Sequence, residues 1–205
     1  MIVRFADHGE NGLSHGMREK VYAAYEEMIH VPMIVSYPKW FSSPLETESL
    51  ICHADVLPTV AAIAGIPAQT GGRLGWVGKD FTPILRNPAA SVQDSIVYCF
   101  SDGVNFQRQN HVKHDVPVEI RAVREKNWMY AVYFSSDGTA IEQEMYDMVA
   151  DPLQTKNLAF EPAKRDSSLG KEWARLHGTL ARELHARNAQ PAGFRWPADP
   201  FAHSV

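Results

Sequence analysis

The sequence lacks the features that would mark it for a membrane, for nucleic acid or for a disulfide scaffold. None of its apolar stretches approaches the about 18 residues a transmembrane helix needs, and no basic-then-apolar leader is visible at its start. If the chain begins inside a longer protein, that second absence says little about export. Basic residues do not outnumber acidic ones, at 20 against 24 for a net charge of -4. Neither nucleic acid nor an anionic membrane therefore finds the excess of Lys and Arg it requires, and neither is expected as a partner. Cysteine is nearly absent. Cys52 and Cys99, flanked by apolar residues in ICHAD and VYCFS, read as small buried side chains rather than a bridge. What remains is the composition of a soluble globular protein, with 45% hydrophobic and 21% charged residues over 205 positions, enough for one domain or two small ones.

The opening residues MIVRF read as an interior β-strand with no lead-in, which implies cover from something upstream. Asp7 stops the run and Gly9 turns the chain. The polar loop GENGLSHG leads into REKVYAAYEEMIH, where Val21, Tyr25, Met28 and Ile29 recur at helical spacing. Pro32 ends that helix, and PMIVSYP reads as a second buried strand in an α/β unit, whose ligands collect at the carboxyl ends of parallel strands. HADVLPTVAAIAGIP predicts a helix over 56–64, with Asp55 accepting backbone N–H bonds at its start, Pro58 in its first turn and Gly65 closing it. The glycines from Gly71 to Gly78 make a loop, DFTPILRNP a short helical turn, and SIVYCF a central strand. From there the pattern turns antiparallel. VEIRAVREKNWMYAVYF is a hairpin turning at Glu125 to Asn127, EQEMYDM is a third strand, and a long amphipathic helix runs from near Lys164 to Arg187 before a Pro-rich tail.

Asp7 and His8 place a carboxylate and an imidazole where both can face one cation, within about 5 Å of one another, since Gly9 removes side-chain bulk just beyond them. Carboxylate oxygen suits Ca²⁺, Mg²⁺ or Mn²⁺, and imidazole shifts the balance toward Mn²⁺ or Zn²⁺. The bland alternative is that the pair caps a strand. Lys20 can stabilise charge on an oxyanion or stand on a solvated face. His15 can donate to an anion or shuttle a proton, or be an ordinary loop histidine. Glu26 and Glu27 read as helix surface or as groups that orient Lys20, and His53 as a local hydrogen-bonding residue.

ADHGENGLSHGMREK followed by AYEEMIHVPMIV resembles the second metal-binding segment of the sulfatase family within the alkaline phosphatase superfamily. Four further segments follow in order: HADVLPTVAAIAGIP resembles its Asp-x-x-Pro-Thr helix, GKDFTPIL its short Leu-rich turn, IRAVREKNWMYAVYF its antiparallel hairpin, and EMYDMVADPLQTKNLA its Tyr-Asp-x-x-x-Asp-Pro-x-x-x-x-Asn-Leu signature. The likeness runs from residue 1 to about 160. It implies an α/β fold: part of a mixed sulfatase-like sheet with flanking helices over 1–115, then a small antiparallel sheet packed on a C-terminal helix over 116–205. Carried over residue by residue, it makes Asp7 and His8 metal ligands, with Ca²⁺ first and Mn²⁺ or Mg²⁺ as alternatives. Lys20, 13 positions after Asp7, becomes the lysine that contacts the sulfate group and the catalytic hydrate; His15 stands beside it as a catalytic candidate on its own chemistry, not on the resemblance. One departure stands out: between Lys20 and Val31-Pro32 this chain has one residue more than the commoner pattern.

The resemblance also implies a nucleophile, a formylglycine made from Cys or Ser in a Cys-x-Pro-x-Arg or Ser-x-Pro-x-Arg segment of the family's N-terminal half. Neither ICHADVLPT nor VYCFSDG has that pattern. The chain therefore reads as the C-terminal portion of a hydrolase of small sulfate monoesters, inactive in isolation and able to self-associate through an exposed sheet edge. The rival readings are a phosphate or phosphonate monoester hydrolase of the same superfamily and a non-catalytic interaction or remnant domain.

Overall fold

A computed structural model of the chain describes residues 1–20, 23–101, 119–135, 141–160, 165–190, 196 and 200–203. Two compact units emerge. The first comprises Met1–Ala6 with Pro32–Ile96, the second Asp7–Val31 with Val97–Val205. The expected boundary at 115/116 lies outside the described residues, as do Val21, Lys164 and most of the tail.

In the first unit, β1 (Ile2–Phe5) pairs antiparallel with β2 (Met33–Ser36), Ile2 opposite Ser36 and Phe5 opposite Met33. The expected interior, parallel arrangement is thus corrected: Ile2 is 70% and Ile34 61% exposed. A parallel pair needs a long crossover, usually a helix, of a dozen or more residues. The chain between these strands is long enough for that, but its longest described helix, α1 (Glu26–Ile29), has four residues and the chain returns antiparallel. The rest of the unit gathers around Asp55, almost wholly buried. Its carboxylate accepts from the backbone N–H of Cys52 (2.8 Å) and of Lys79 (2.6 Å), and from the Gln93 amide (2.7 Å). One residue on starts α2 (Val56–Ile63), where Thr59 donates to the Asp55 carbonyl and accepts from Phe81 N–H. Gly78 is obligatory here, since a Cβ would stand 1.9 Å from the Ala54 carbonyl oxygen. The expected loop at Gly71 is instead partly helical, in α3 (Ala68–Arg73). Gly71 keeps its place because the Trp76 ring lies where its Cβ would be. The turn expected at DFTPILRNP is α4 (Thr82–Arg86).

The second unit is built on a four-stranded sheet in the order β3 (Ser95–Ser101), β4 (Glu119–Glu125), β5 (Trp128–Phe134), β6 (Ile141–Asp147). β5 is a near-continuous apolar run because both of its faces are covered. On one face Val123, Tyr130, Val132, Phe134 and Met145 meet Trp173, Leu176, Leu180 and Leu184 of α5 (Ser168–Ala186). Those helix residues recur every three or four positions, the signature of one buried stripe. The Ser167 side chain caps α5 by accepting from Gly170 N–H. On the other face Ile120, Ala122, Met129, Ala131, Tyr133 and Tyr146 pack with Ala24, Tyr25 and Ile29. SIVYCF proves to be an edge strand, not a central one. Its outer residues meet solvent, so Cys99 is exposed, and Cys52 is only half-buried; both are free. No described helix is long and apolar enough to cross a membrane.

Asp55→Ala strands three donors in the interior of the first unit and is expected to cost about 3–5 kcal/mol in urea unfolding. Asp55→Asn, which keeps one acceptor oxygen, should recover part of that loss.

Candidate active site

The site begins with a backbone constraint. Gly9 N–H donates to the Met28 carbonyl (2.9 Å) and Glu10 N–H to the Glu27 carbonyl (3.0 Å). A Cβ on Gly9 would stand 1.8 Å from the Glu27 carbonyl oxygen, so no other residue fits. The two residues just before it, Asp7 and His8, are thereby held against the α1 segment. His8 Nδ1 lies 2.8 Å from the Gly9 carbonyl oxygen, which requires the proton on Nδ1 and leaves the Nε2 lone pair outward. That lone pair lies 3.4 Å from Asp7 Oδ2 and 3.3 Å from Lys20 Nζ.

Two electron-pair donors this close repel unless a cation stands by them. In this geometry the Lys20 ammonium does so. Their 3.4 Å separation also suits a divalent cation. Two ligands at right angles and about 2.2–2.4 Å from a metal are about 3.1–3.4 Å apart. A histidine that ligates through one nitrogen while the other donates to a carbonyl has its ring orientation set in advance. The Asp7 carboxyl is held below the usual carboxylate range, first by its own backbone N–H, then by that of His8, with the Lys20 charge adding to them. It is therefore ionised wherever such a cation would bind. Among the described residues no group of three or more His, Cys, Asp and Glu forms a complete metal site. Asp7 and His8 are at most part of one.

Between Asn11 and Lys20 the backbone is unusual. Leu13 (φ 78°), His15 (φ 53°) and Glu19 (φ 58°) are left-handed without being glycine, and Gly12 and Gly16 share that region. The expected helix from Arg18 is thus corrected to the single turn α1, because left-handed Glu19 cannot lie inside a right-handed helix. Buried Asn11 closes the loop, donating to the Glu19 carbonyl through both its backbone N–H (3.2 Å) and its side-chain amide (2.9 Å).

Asp7, His8 and Lys20 are brought together, whereas His15 goes elsewhere. Its ring lies flat on Tyr25, 3.7 Å between centroids and 6° from parallel. Its Nε2 is 3.8 Å from Glu27 Oε1 and has no hydrogen-bond partner among the described residues. Ser14 Oγ donates to the same Glu27 oxygen at 2.5 Å. Burial alone would raise the Glu27 carboxyl, but the bonds from Ser14 and from its own backbone N–H, with the His15 charge, bring it below the usual value. His53, expected to bond locally, instead places Nε2 2.9 Å from the carbonyl oxygen of Ala6 in the first unit.

Beneath the loop lie residues that no spacing in the sequence marks. Tyr25 and Tyr133 both donate to Glu144, at 3.1 and 2.6 Å, and Tyr133 Oη accepts from Ala24 N–H. Burial pushes the Tyr25 hydroxyl up to about 12, so it stays protonated. Left-handed Gln154 lends its side-chain oxygen to Glu26 N–H (2.7 Å), capping α1 where Tyr25 provides no side-chain cap. Gln154 sits in a loop made rigid by Asp147, Asp151 and Asn157, which accept from Val149, Thr155, Lys156, Met145 and Ala159 N–H groups. The Tyr-Asp-x-x-x-Asp-Pro signature is therefore a scaffold for the helix cap. Cys52 is no nucleophile: burial, then the Asp55 carboxylate, pushes its thiol up to about 11, far from the thiolate a nucleophile needs.

Residues 13–180 match the family model described as N-sulphoglucosamine sulphohydrolase, C-terminal. Lys20 and His15 fall within that stretch, and Asp7 and His8 just before it. Arylsulfatase K of Rattus norvegicus is 28% identical over 167 residues, 78% of this chain and 26% of that protein. The delta 4,5-hexuronate-2-O-sulfatase of Bacteroides thetaiotaomicron is 31% identical over 187 residues, 89% of this chain and 35% of that protein. The chain thus spans about a quarter to a third of the length of these curated relatives. The crystal structure of a candidate sulfatase from B. thetaiotaomicron superposes with a TM-score of 0.72 at 27% identity, over 97% of this chain and 39% of that one. A second structure, complexed with its substrate D-glucosamine-2-N,6-O-disulfate, shares the fold with a TM-score of 0.72 at 22% identity, over 94% of this chain and 36% of that one. These neighbours carry the alkaline-phosphatase-like α/β fold of sulfatases.

Burial raises the Glu144 carboxyl above its ordinary 4.5, outweighing the hydrogen bonds from Tyr133, Tyr25 and Tyr146. The folded chain keeps that proton to higher pH than the unfolded chain. The stability it contributes is complete below pH 4.5 and is lost as pH rises through the elevated folded value. Thermal unfolding of Glu144→Gln between about pH 4 and 7 should show a shallower fall in midpoint than the parent.

Proposed function

This chain belongs to the N-sulphoglucosamine sulphohydrolase C-terminal family, and from that premise we propose that it supplies the cation-binding edge and the sulfate-contacting lysine of a sulfate monoester hydrolase. The observation that carries the reading is the convergence of the Asp7 carboxylate, the outward His8 lone pair and the Lys20 ammonium, each within 3.4 Å of His8 Nε2 or at it. Asp7 and His8 would hold part of the shell of a divalent cation, Ca²⁺ first, then Mn²⁺ or Mg²⁺. Such a cation, when bound, polarises sulfuryl oxygens and acidifies the nucleophile. Lys20 neutralises charge on those oxygens, and it is free to turn from His8 toward an anion because it is exposed. His15, with its Nε2 unpartnered among the described residues, is available to pass a proton to the leaving oxygen.

The nucleophile is not assigned to this chain, because neither cysteine stands in a Cys-x-Pro-x-Arg segment and the Cys52 thiol is held protonated. Turnover therefore requires a polypeptide that supplies it, and the 205-residue chain alone is expected to be inactive. The substrates are small sulfate esters, by analogy with the disulfated glucosamine described for one structural neighbour.

Calorimetric titration with Ca²⁺, Mn²⁺ and Mg²⁺ should give weak binding that disappears in Asp7→Ala. Tight binding that persists in Asp7→Ala would overturn the assignment. With the nucleophile-bearing segment supplied, hydrolysis should favour an aryl sulfate over the matching aryl phosphate, and the opposite preference would move the enzyme to the phosphomonoesterases.

The exposed apolar residues of the β1–β2 ribbon, Ile2, Phe5 and Ile34, make it a pairing surface for a second copy. Light scattering over a concentration series should show association that Ile2→Lys and Ile34→Lys reduce. A monomer at every concentration refutes it.

A further inference from the structure

The consecutive acids of α1 have separate tasks, and only one of them concerns the site. Glu26 receives Arg124 of β4 (Nε to Oε1, 2.8 Å) and lies 3.2 Å from His30, so it ties the helix to the sheet. Glu27 points the other way. It accepts from Ser14 Oγ at 2.5 Å, stands 3.8 Å from His15 Nε2, and its carbonyl receives Glu10 N–H. One residue therefore touches the loop at its entrance and at its middle.

That loop needs an external hold. Three of its non-glycine residues, Leu13, His15 and Glu19, sit in the left-handed region. Each such residue costs of order 1 kcal/mol, and the cost persists only where the surroundings over-determine the conformation. Asn11 closes the loop from within, but its bonds all run to the loop's own backbone. The Ser14–Glu27 bond and the flat stack of His15 on Tyr25 are what join the loop's middle to the folded body. The loop delivers Lys20 to His8.

We infer that Glu27 is a positioning residue, which holds the Asn11–Lys20 loop in its left-handed form and so sets where His15 and Lys20 stand. The inference rests on the proposed sulfatase reading for its purpose, and on the geometry alone for its existence. A carboxylate suits the task because a hydrogen bond to a charged acceptor is about twice as strong as one between neutral groups, and Glu27 is ionised at neutral pH.

Arg18 and Lys20 are exposed trypsin sites within the loop, so limited proteolysis reads its opening directly. Glu27→Ala is expected to speed cleavage there about tenfold or more, while Glu27→Gln, which still offers Ser14 a neutral acceptor, should fall between Glu27→Ala and the parent. Ser14→Ala tests the same bond without altering Glu27, and decides the matter should Glu27→Ala fail to fold. The ring-current shifts that the Tyr25 stack imposes on the His15 imidazole protons should collapse in Glu27→Ala and return in part in Glu27→Gln, a signature that general destabilisation with unchanged loop order would not produce. Cleavage and ring shifts unchanged in both Glu27→Ala and Ser14→Ala would overturn the inference. Inorganic sulfate added to the parent, with Lys20 side-chain resonances observed, tests the sulfatase reading separately. A loop that opens in the variants while Lys20 ignores sulfate leaves the positioning role intact and removes its proposed purpose.

Discussion

Everything at the candidate site depends on the two backbone bonds that join Gly9 and Glu10 to Met28 and Glu27. They bring together stretches separated by 17 positions or more in sequence, and they do so at a separation only glycine tolerates. Once they form, Asp7 and His8 emerge on one side, and the chain between them must return as a closed loop carrying His15 and ending at Lys20. The chemistry is local, but its geometry is inherited from this short stem.

The stem is itself held from below. The apolar residues Ala24, Tyr25 and Ile29 pack on one face of the four-stranded sheet while α5 covers the other. The cap on α1 comes from Gln154, far along the chain, in a loop braced by three side chains that accept backbone bonds. A four-residue helix cannot persist by its own hydrogen bonds, since nucleating a turn fixes several residues for a single bond. It survives here because a distant amide supplies what its own first residue does not, and because Arg124 anchors Glu26.

The elements legible in the sequence are those whose signal is local. The helix expected over 56–64 and found at Val56–Ile63, the hairpin turning at Glu125 to Asn127, the strand at EQEMYDM and the stripe of Trp173, Leu176, Leu180 and Leu184 all follow from periodicity and punctuation within a short window. The resemblance of five ordered segments located the fold class and its sulfatase kinship, and it put Asp7, His8 and Lys20 in one place. What was illegible depends on partners remote in sequence. Strand direction for β1 and β2 depends on how the chain between them folds back, and the exposure of Cys99 needs β3 to be an edge. Apolar flanks alone state neither. The helical spacing from Val21 to Ile29 misled because a left-handed Glu19 and a distant cap, not periodicity, decide where α1 begins. Ser14 and Glu27 stand 13 positions apart, and no sequence rule pairs them.

A loop closed at its own base has a freedom that an open one lacks. Since Asn11 bonds back to Glu19 and the stem lies outside that closure, residues of the loop other than Ser14 and His15, which reach Glu27 and Tyr25, can be exchanged with little effect on the stem. Such an arrangement would let the tip of the loop vary in reach and chemistry while the stem that holds Asp7 and His8 stays put.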